Sequence, residues 1–348
     1  MKSIIESHIY TDELKIVANH ISDHTGSFLI TGATGLIGSC IIDALLWTNE
    51  NLNHTHKIFA VGRSKKKMEE RFKYAKTSEW LHFIEQDICN PLKIDCDVDY
   101  VIHAASNADP RSYALYPVET ILTNILGTQN ILEYCKKYSV KRLLFTSTFE
   151  VYGELPGIDI FEETMCGTLD TTILRNCYPE SKRCAETLVR CSASEYKINA
   201  VIARLCSIYG PTMQCSDSKV HAQFIKNALN CQDIVLKSPG TQIRTYCYVL
   251  DAVDALLKIL FDGASKEIYN ISNEKSVISI AELARTVAEI SGTQVVFDIP
   301  DSIEQKGFSK PQNCILSNRK LRSLGWEGKY SIENGIRQTL FILKEIGT

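Results

Sequence analysis

Three glycines at fixed spacing restrict the fold more than any other feature. They are Gly32, Gly35 and Gly38, within Thr31-Gly32-Ala33-Thr34-Gly35-Leu36-Ile37-Gly38. Before them Ser27–Thr31 (SFLIT) is a short apolar run, which is how a buried parallel strand reads. After them Leu36–Trp47 is apolar on most faces of a helix. In a strand–turn–helix unit, glycine permits the tight turn and lets the backbone approach a pyrophosphate at the helix N-terminus. Thr34, Leu36 and Ile37 belong to the same turn and join the glycines as candidate cofactor contacts.

The alternation continues downstream. Lys57–Val61, Leu81–Ile84, Tyr100–His103, Arg142–Thr146 and Ala200–Leu205 read as strands, and Pro117–Tyr138 and Tyr178–Tyr196 as helices. Strands alternating with helices predict an α/β fold, a Rossmann-type doubly wound parallel sheet. Beyond Tyr209-Gly210-Pro211 the pattern weakens into short strands (Ile234–Leu236, Ile268–Ile271, Val295–Phe297) and helices (Val220–Asn230, Asp251–Phe261, Ile280–Ile290, Ile332–Glu345). The 348 residues exceed one minimal core. The division expected is an N-terminal helical extension (1–26), a dinucleotide-binding domain (27–208) and a smaller C-terminal α/β substrate domain (209–348). Helical residues near 249–262 are expected to pack back on the first domain.

Tyr178 and Lys182 stand four residues apart on a predicted helix, so they share a face. A free tyrosine with a pKa near ~10 is a poor base at neutral pH. A nearby ammonium and a positive nicotinamide ring both favour phenolate, which can take a carbinol proton while hydride leaves. Pro179 suits a first helical position. The fifth strand runs into Thr146-Ser147-Thr148, at the sheet edge that faces the ligand crevice. Thr148, with Ser147 as fallback, is the hydroxyl expected to bond the reacting oxygen.

The second strand ends in Val61-Gly62-Arg63-Ser64, where an Asp or Glu would read an NAD ribose. Arg63 suits a 2′-phosphate, adenine stacking or a plain surface position, so NAD is expected with NADP left open. Asp87 and Ile88, after the third strand, are placed to reach adenine.

Other classes are disfavoured. A net charge of −3 without a long one-sign run gives no footprint for nucleic acid, and Lys65-Lys66-Lys67 reads as a solvated helix start. Thirteen cysteines, an odd number, include no CxxC pair and no zinc spacing. Cys40, Cys135, Cys184, Cys191 and Cys206 are expected as buried free thiols in a reducing compartment, and no metal is expected. Neither a signal-peptide core nor a membrane-length apolar run is present, so a cytoplasmic protein without a membrane partner is expected.

From about residue 27 onward the chain resembles the extended short-chain dehydrogenase/reductases that modify nucleotide sugars. The segments that carry this are TGATGLIGS, HAAS (103–106), TNILGTQN (123–130), TSTFEVYG (146–153), YPESK (178–182), ARLCSIYGP (203–211), RTYCYVLD (244–251) and LGW (324–326). The resemblance implies a catalytic set of Thr148, Tyr178 and Lys182, with Ala104, Ala105 and Ser106 against the cofactor. It also implies a nucleotide-sugar substrate and a homodimer through the helices Pro117–Tyr138 and Tyr178–Tyr196. Residues 175–183 and 240–249 are similar to segments of the UDP-glucuronate decarboxylases, which implies Arg175 and Arg244 as substrate contacts and Glu150 as a catalytic group. Phe149 departs from that pattern. It also departs from the Thr-Asp-Glu of the 4,6-dehydratases and has no proton to donate. Decarboxylation by way of a 4-ketone is therefore the leading expectation, beside 4-epimerisation, 4,6-dehydration and NADP-dependent 4-keto-sugar reduction.

Overall fold

Seven parallel strands form the central sheet of the computed structural model, which describes residues 2–21, 23–298 and 312–347. In chain order the strands are β1 (Ser27–Thr31), β2 (Lys57–Gly62), β3 (Leu81–Glu85), β4 (Tyr100–His103), β5 (Arg142–Thr148), β6 (Ile160–Phe161), β7 (Ala200–Leu205), β8 (Ser207–Tyr209), β9 (Ile234–Leu236), β10 (Ile243–Tyr248), β11 (Ile268–Ile271), β12 (Val277–Ser279), β13 (Val295–Phe297) and β14 (Ile315–Leu316). The helices are α1 (His8–Ile21), α2 (Leu36–Leu52), α3 (Lys65–Arg71), α4 (Pro110–Leu115), α5 (Pro117–Tyr138), α6 (Cys177–Glu195), α7 (Val220–Leu229), α8 (Val249–Asp262), α9 (Ile280–Ser291), α10 (Arg319–Arg322) and α11 (Ile332–Ile346).

The large sheet has the order β11-β7-β5-β4-β1-β2-β3. The chain winds outward from β1 to β3, then returns to the other side of β1 with β4. In the register of this switch, Thr31 lies opposite both Val61 and His103. Ligands of such sheets sit where the order reverses, beyond the carboxyl ends of the strands.

Side-chain alternation builds the two flanking layers. Leu29, Val101, Leu143 and Phe145 share one core with Ile131 of α5 and Val189 of α6. Phe28, Ile30, Ile102 and Leu144 share another with Leu14 of α1, Ile41 of α2 and Leu256 of α8. Successive strand residues point to opposite faces, so the apolar runs fill both layers. The C-terminal half adds a three-stranded sheet, β12-β10-β8, and a parallel pair, β9 with β13.

Three local expectations need correction. Strand β11 lies at the edge of the large sheet, with Ile268 opposite Ile202, and not in a separate C-terminal unit. Four residues carry no signal of sheet membership, which here follows from the pairing with β7. Helix α6 starts at Cys177, so Pro179 is its third residue. The first-turn N–H groups have no intrahelical partner, so proline is tolerated there as well. All thirteen cysteines are free, but Cys184 and Cys191 are exposed on the outer face of α6. Among the described residues no helix is long and apolar enough to cross a membrane.

Helix α1 packs on the body through buried polar contacts. The Tyr10 hydroxyl donates to Asp43 at 2.7 Å, and Tyr74 and Arg71 reach the same carboxylate. Glu13, also buried, accepts from the Tyr248 hydroxyl at 2.7 Å. Burial lifts its carboxyl from the ordinary 4.5 to about 7, against hydrogen bonds from Tyr248 and Tyr330 and with help from the charge of Asp251. The folded protein therefore binds more protons than the unfolded chain between these two values. The stability that the protonated form contributes is full below the lower value and is lost as pH rises through the upper one. Glu13→Gln removes this titration. Its melting temperature is expected to match the wild type near pH ~5 and to exceed it increasingly toward pH ~8, read by paired thermal melts across pH.

Candidate active site

The glycine turn joins β1 to the start of α2, where Gly35 is the N-cap and offers no side chain. The first amides of α2 therefore have neither a helical partner nor a side-chain cap, a ready anion site. Gly32 has φ +69, and a Cβ there would lie 2.7 Å from the Ala104 carbonyl oxygen. A Cβ on Gly38 would lie 2.4 Å from the Gly32 oxygen. These close approaches require glycine and leave a bare backbone cradle that fits a dinucleotide pyrophosphate. Thr212 Oγ1 donates to the Leu36 carbonyl at 2.7 Å and Gln214 Nε2 to that of Thr34 at 2.9 Å. The turn is thus tied to the segment after β8.

A cleft of about 1900 Å³ opens over this turn. Its wall carries Gly32, Thr34, Gly35, Leu36, Ile37, Gly38, Arg63, Asp87, Ile88 and Ala104 to Ser106 on one side. It also carries Ser147, Thr148, Glu150, Arg175, Tyr178 and Arg244. Of the residues singled out from sequence, only Lys182 is off the wall; it is buried beneath it. Arg63 is exposed and pairs with Glu119 at 3.0 Å. Asp87 accepts from the Cys89 amide at 2.9 Å.

Beneath the cleft runs a polar chain that sequence reasoning did not single out. Thr31 Oγ1 accepts from the Ala105 amide at 3.1 Å and meets His103 Nδ1 at 2.8 Å. Burial, with the charge of Lys182 adding, pushes the His103 imidazole down to about 3, so it is neutral at physiological pH. Ser106 donates to Asn124 Oδ1 at 2.8 Å, and the Asn124 amide donates to Ser181 Oγ at 2.9 Å. Ser181 in turn donates to the Tyr178 carbonyl at 2.9 Å. The end of β4 is thereby fixed through α5 to the first turn of α6. Asn124 and Ser181 do stand inside the segments TNILGTQN and YPESK, which was the available signal.

Tyr178 is buried, and its ring stacks on Tyr113 with centroids 4.5 Å apart and planes at 13°. Burial pushes its phenol above the ordinary value, and the charge of Glu150 adds to this. Hydrogen bonds with Thr148 and Tyr113 and the charge of Arg175 act the other way. Lys182 Nζ donates to the Thr146 carbonyl at 2.9 Å and lies 4.8 Å from the Phe145 ring centre. Burial pushes its ammonium down to about 7, with the charge of Glu186 opposing. The sequence reading has an ammonium and a positive nicotinamide ring together favouring phenolate at Tyr178. Among the protein's own groups desolvation is the largest influence on both side chains and drives each toward neutrality.

Glu150 leaves the short turn after β5 and accepts from Arg175 Nη1 at 2.7 Å. Burial disfavours the Arg175 cation, but Glu150 outweighs it and the net shift is upward. Arg244, on β10, donates to Gln242 Oε1 at 2.9 Å. Among the described residues, no group of three or more His, Cys, Asp or Glu side chains gathers as a metal site.

The sheet, the glycine cradle and the paired hydroxyls define a dinucleotide-dependent oxidoreductase-type site. Residues 28–272 match the NAD dependent epimerase/dehydratase family, and the chain belongs to it. It is an enzyme of the extended short-chain dehydrogenase/reductase type. UDP-glucuronic acid decarboxylase 3 of Arabidopsis thaliana is 35% identical over 312 residues, covering 88% of this chain and 86% of that one. The solved UDP-glucose 4-epimerase of Thermotoga maritima with UDP-glucose superposes with a TM-score of 0.76 at 26% identity, covering 92% and 99% of the two chains. The Thermus thermophilus UDP-glucose 4-epimerase complex with NAD gives 0.74 at 26% identity, covering 91% and 99%.

Gly32→Ala forces a side chain into left-handed backbone and against Ala104. It is expected to destabilise the protein by ~1–3 kcal/mol and to weaken dinucleotide binding at least tenfold, checked by denaturant unfolding and calorimetric titration.

Proposed function

We propose that the protein decarboxylates a UDP-linked glucuronate by transient oxidation of its C4 hydroxyl, with NAD as a recycled cofactor. The observation that carries this reading is one cleft that joins the hydroxyls of Thr148 and Tyr178 to two guanidinium groups, Arg175 and Arg244. The 35% identity to a UDP-glucuronic acid decarboxylase supports it. The family match and the NAD complex of the Thermus relative support the cofactor, and the Arg63–Glu119 pair supports NAD over NADP.

In this reading Gly32, Gly35 and Gly38 hold the pyrophosphate at the α2 N-terminus, while Asp87, Ile88 and Ala104 to Ser106 line the rest of the cofactor's bed. Bound there, NAD supplies the oxidant for the C4 alcohol and the reductant that restores it. Thr148 and Tyr178 would hold the C4 oxygen; with the positive nicotinamide ring of bound NAD beside it to draw the phenol toward phenolate, Tyr178 takes and later returns its proton. Lys182, with a pKa near neutrality, sits one helical turn behind Tyr178 and biases where that proton rests. A ketone at C4 stands β to the C5 carboxylate. Such an acid loses carbon dioxide because the electrons settle on the ketone oxygen, where the two hydroxyls donate. Arg175 or Arg244 orients the carboxylate through a two-pronged guanidinium contact. Glu150, held by Arg175, orients a water through which a solvent proton reaches C5 after the loss. Phe149 carries no acid, which disfavours dehydration by the Asp-Glu route.

Incubation with UDP-glucuronate and NAD, followed by mass spectrometry, is expected to show a product lighter by carbon dioxide. A product of unchanged mass would overturn the reading in favour of epimerisation. Tyr178→Phe is expected to lower kcat by ~10²–10⁴-fold while substrate still binds.

We also propose that two copies pair through the outer faces of α5 and α6, which lie side by side. Val118 and Leu122 of α5 are exposed apolar residues on a helix whose other side is buried, which supports this. Sedimentation equilibrium is expected to give twice the chain mass. Val118→Lys with Leu122→Lys should shift it to the monomer.

A further inference from the structure

Phe149 lies between Thr148 and Glu150 on the wall of the cleft, in the short helical turn Phe149–Tyr152 that follows β5. Its ring is partly buried. The Arg244 guanidinium carbon lies 5.4 Å from the ring centre. Arg244 comes from β10, across the cleft from β5 in sequence and in sheet. Thus two elements that share no strand pairing meet at this contact.

The pairing of Arg244 sets it apart. Of the partly buried Lys and Arg side chains on the cleft wall, Arg175 pairs with Glu150 at 2.7 Å and Lys219 with Asp217 at 3.3 Å. Arg244 pairs with no carboxylate among the described residues. Among the described residues its side chain donates to the neutral amide oxygen of Gln242 at 2.9 Å. A guanidinium has five N–H donors, so most of its edge is left for a ligand.

An aromatic neighbour suits that role for a physical reason. A ring attracts a cation through its quadrupole within about 6 Å, without accepting its N–H bonds and without cancelling its charge. An aspartate or glutamate at the same place would do both. The ring therefore holds the plane of Arg244 while its charge and its donor fork stay available to an oxyanion.

We propose that Phe149 is a positioning residue, a platform that aims the uncompensated Arg244 fork at an anionic group of the substrate. The group is a pair of oxyanion oxygens, from either the sugar carboxylate or the diphosphate. The inference rests on the nucleotide-sugar reading of the cleft and adds to it the residue that orders its free cation.

The test is calorimetric binding to the full-length protein with NAD present, using UDP-glucuronate, UDP-glucose and UDP as separate ligands. Phe149→Leu keeps apolar bulk and removes the ring. It is expected to weaken UDP-glucuronate binding by ~2- to 30-fold, the range of a cation–π contact between exposed and desolvated. Phe149→Tyr restores the ring and is expected to restore affinity to within about twofold. In an Arg244→Gln background, Phe149→Leu is expected to have no further effect, which a general packing role would not produce. A loss confined to UDP-glucuronate assigns the anion as carboxylate; an equal loss for all three ligands assigns it as diphosphate. The proposal is overturned if Phe149→Leu leaves all affinities unchanged, if its loss persists undiminished in the Arg244→Gln background, or if the wild type binds none of the ligands. Binding without turnover of UDP-glucuronate would sink the decarboxylase reading alone and leave this one standing.

Discussion

Desolvation of Tyr178 and Lys182 on one turn of α6 is the constraint to which the rest of the cleft answers. Removing water disfavours phenolate and ammonium alike, so the phenol is pushed up and the ammonium down to about 7. At neutral pH the phenol then keeps its proton while the ammonium is poised to give one up, so a proton relay through this pair would need a further cation beside Tyr178. The cost is that the relay supplies little fixed charge of its own. One turn below Lys182, Glu186 could have restored the ammonium. Its carboxylate is instead gripped by Arg204, with Nη2 to Oε2 at 2.8 Å and Nε to Oε1 at 3.1 Å. That buried pair satisfies its own charges and leaves Lys182 only a residual pull.

Formal charge at the cleft wall comes instead from the Glu150–Arg175 pair and from Arg244, which meets no carboxylate among the described residues; separate segments of the chain contribute them. Their relative positions depend on how the C-terminal strands sit over the glycine turn. Thr212 on the Leu36 carbonyl and Gln214 on that of Thr34 set this directly. Asp109 does the same from the other side: it caps α4 and accepts from both the amide and the hydroxyl of Ser218. The cofactor cradle and the substrate wall are thus held by bonds to the backbone of the turn itself, so a shift of one is felt by the other.

The sequence made the sheet legible because each strand of a doubly wound fold is buried on both faces. Ser27–Thr31, Tyr100–His103 and Ala200–Leu205 stand as apolar runs between turn residues, and their observed bounds agree with the reading. Strand β11 reads equally well as a strand, but its sheet is chosen by a partner in β7 some 66 positions earlier, which no local pattern encodes. The pairs β6 with β14 and β8 with β10 are two or three residues long and leave no periodicity to detect. The same division holds at the cleft. Helical spacing made Tyr178 and Lys182 readable as neighbours. The Tyr113 ring against Tyr178 and the Ser106–Asn124–Ser181 chain join segments with no spacing rule between them. Burial acts strongly on Tyr178 and Lys182, and helical spacing carries no sign of it.

Position 149 shows how one side chain can settle both charge and chemistry. Glu150, Arg175 and Arg244 stand on the same cleft wall as Phe149, one acidic side chain against two basic ones, with Lys182 buried beneath. An anionic ligand suits that balance. An aspartate at 149 would bring a proton donor within the same turn and would also lie against Arg244, cancelling the remaining charge. The site would then favour loss of water from a neutral sugar over retention of a carboxylate. The phenylalanine removes both consequences at once. It carries no acid and sets its ring against the Arg244 guanidinium without cancelling the charge, a combination compatible with an anionic ligand.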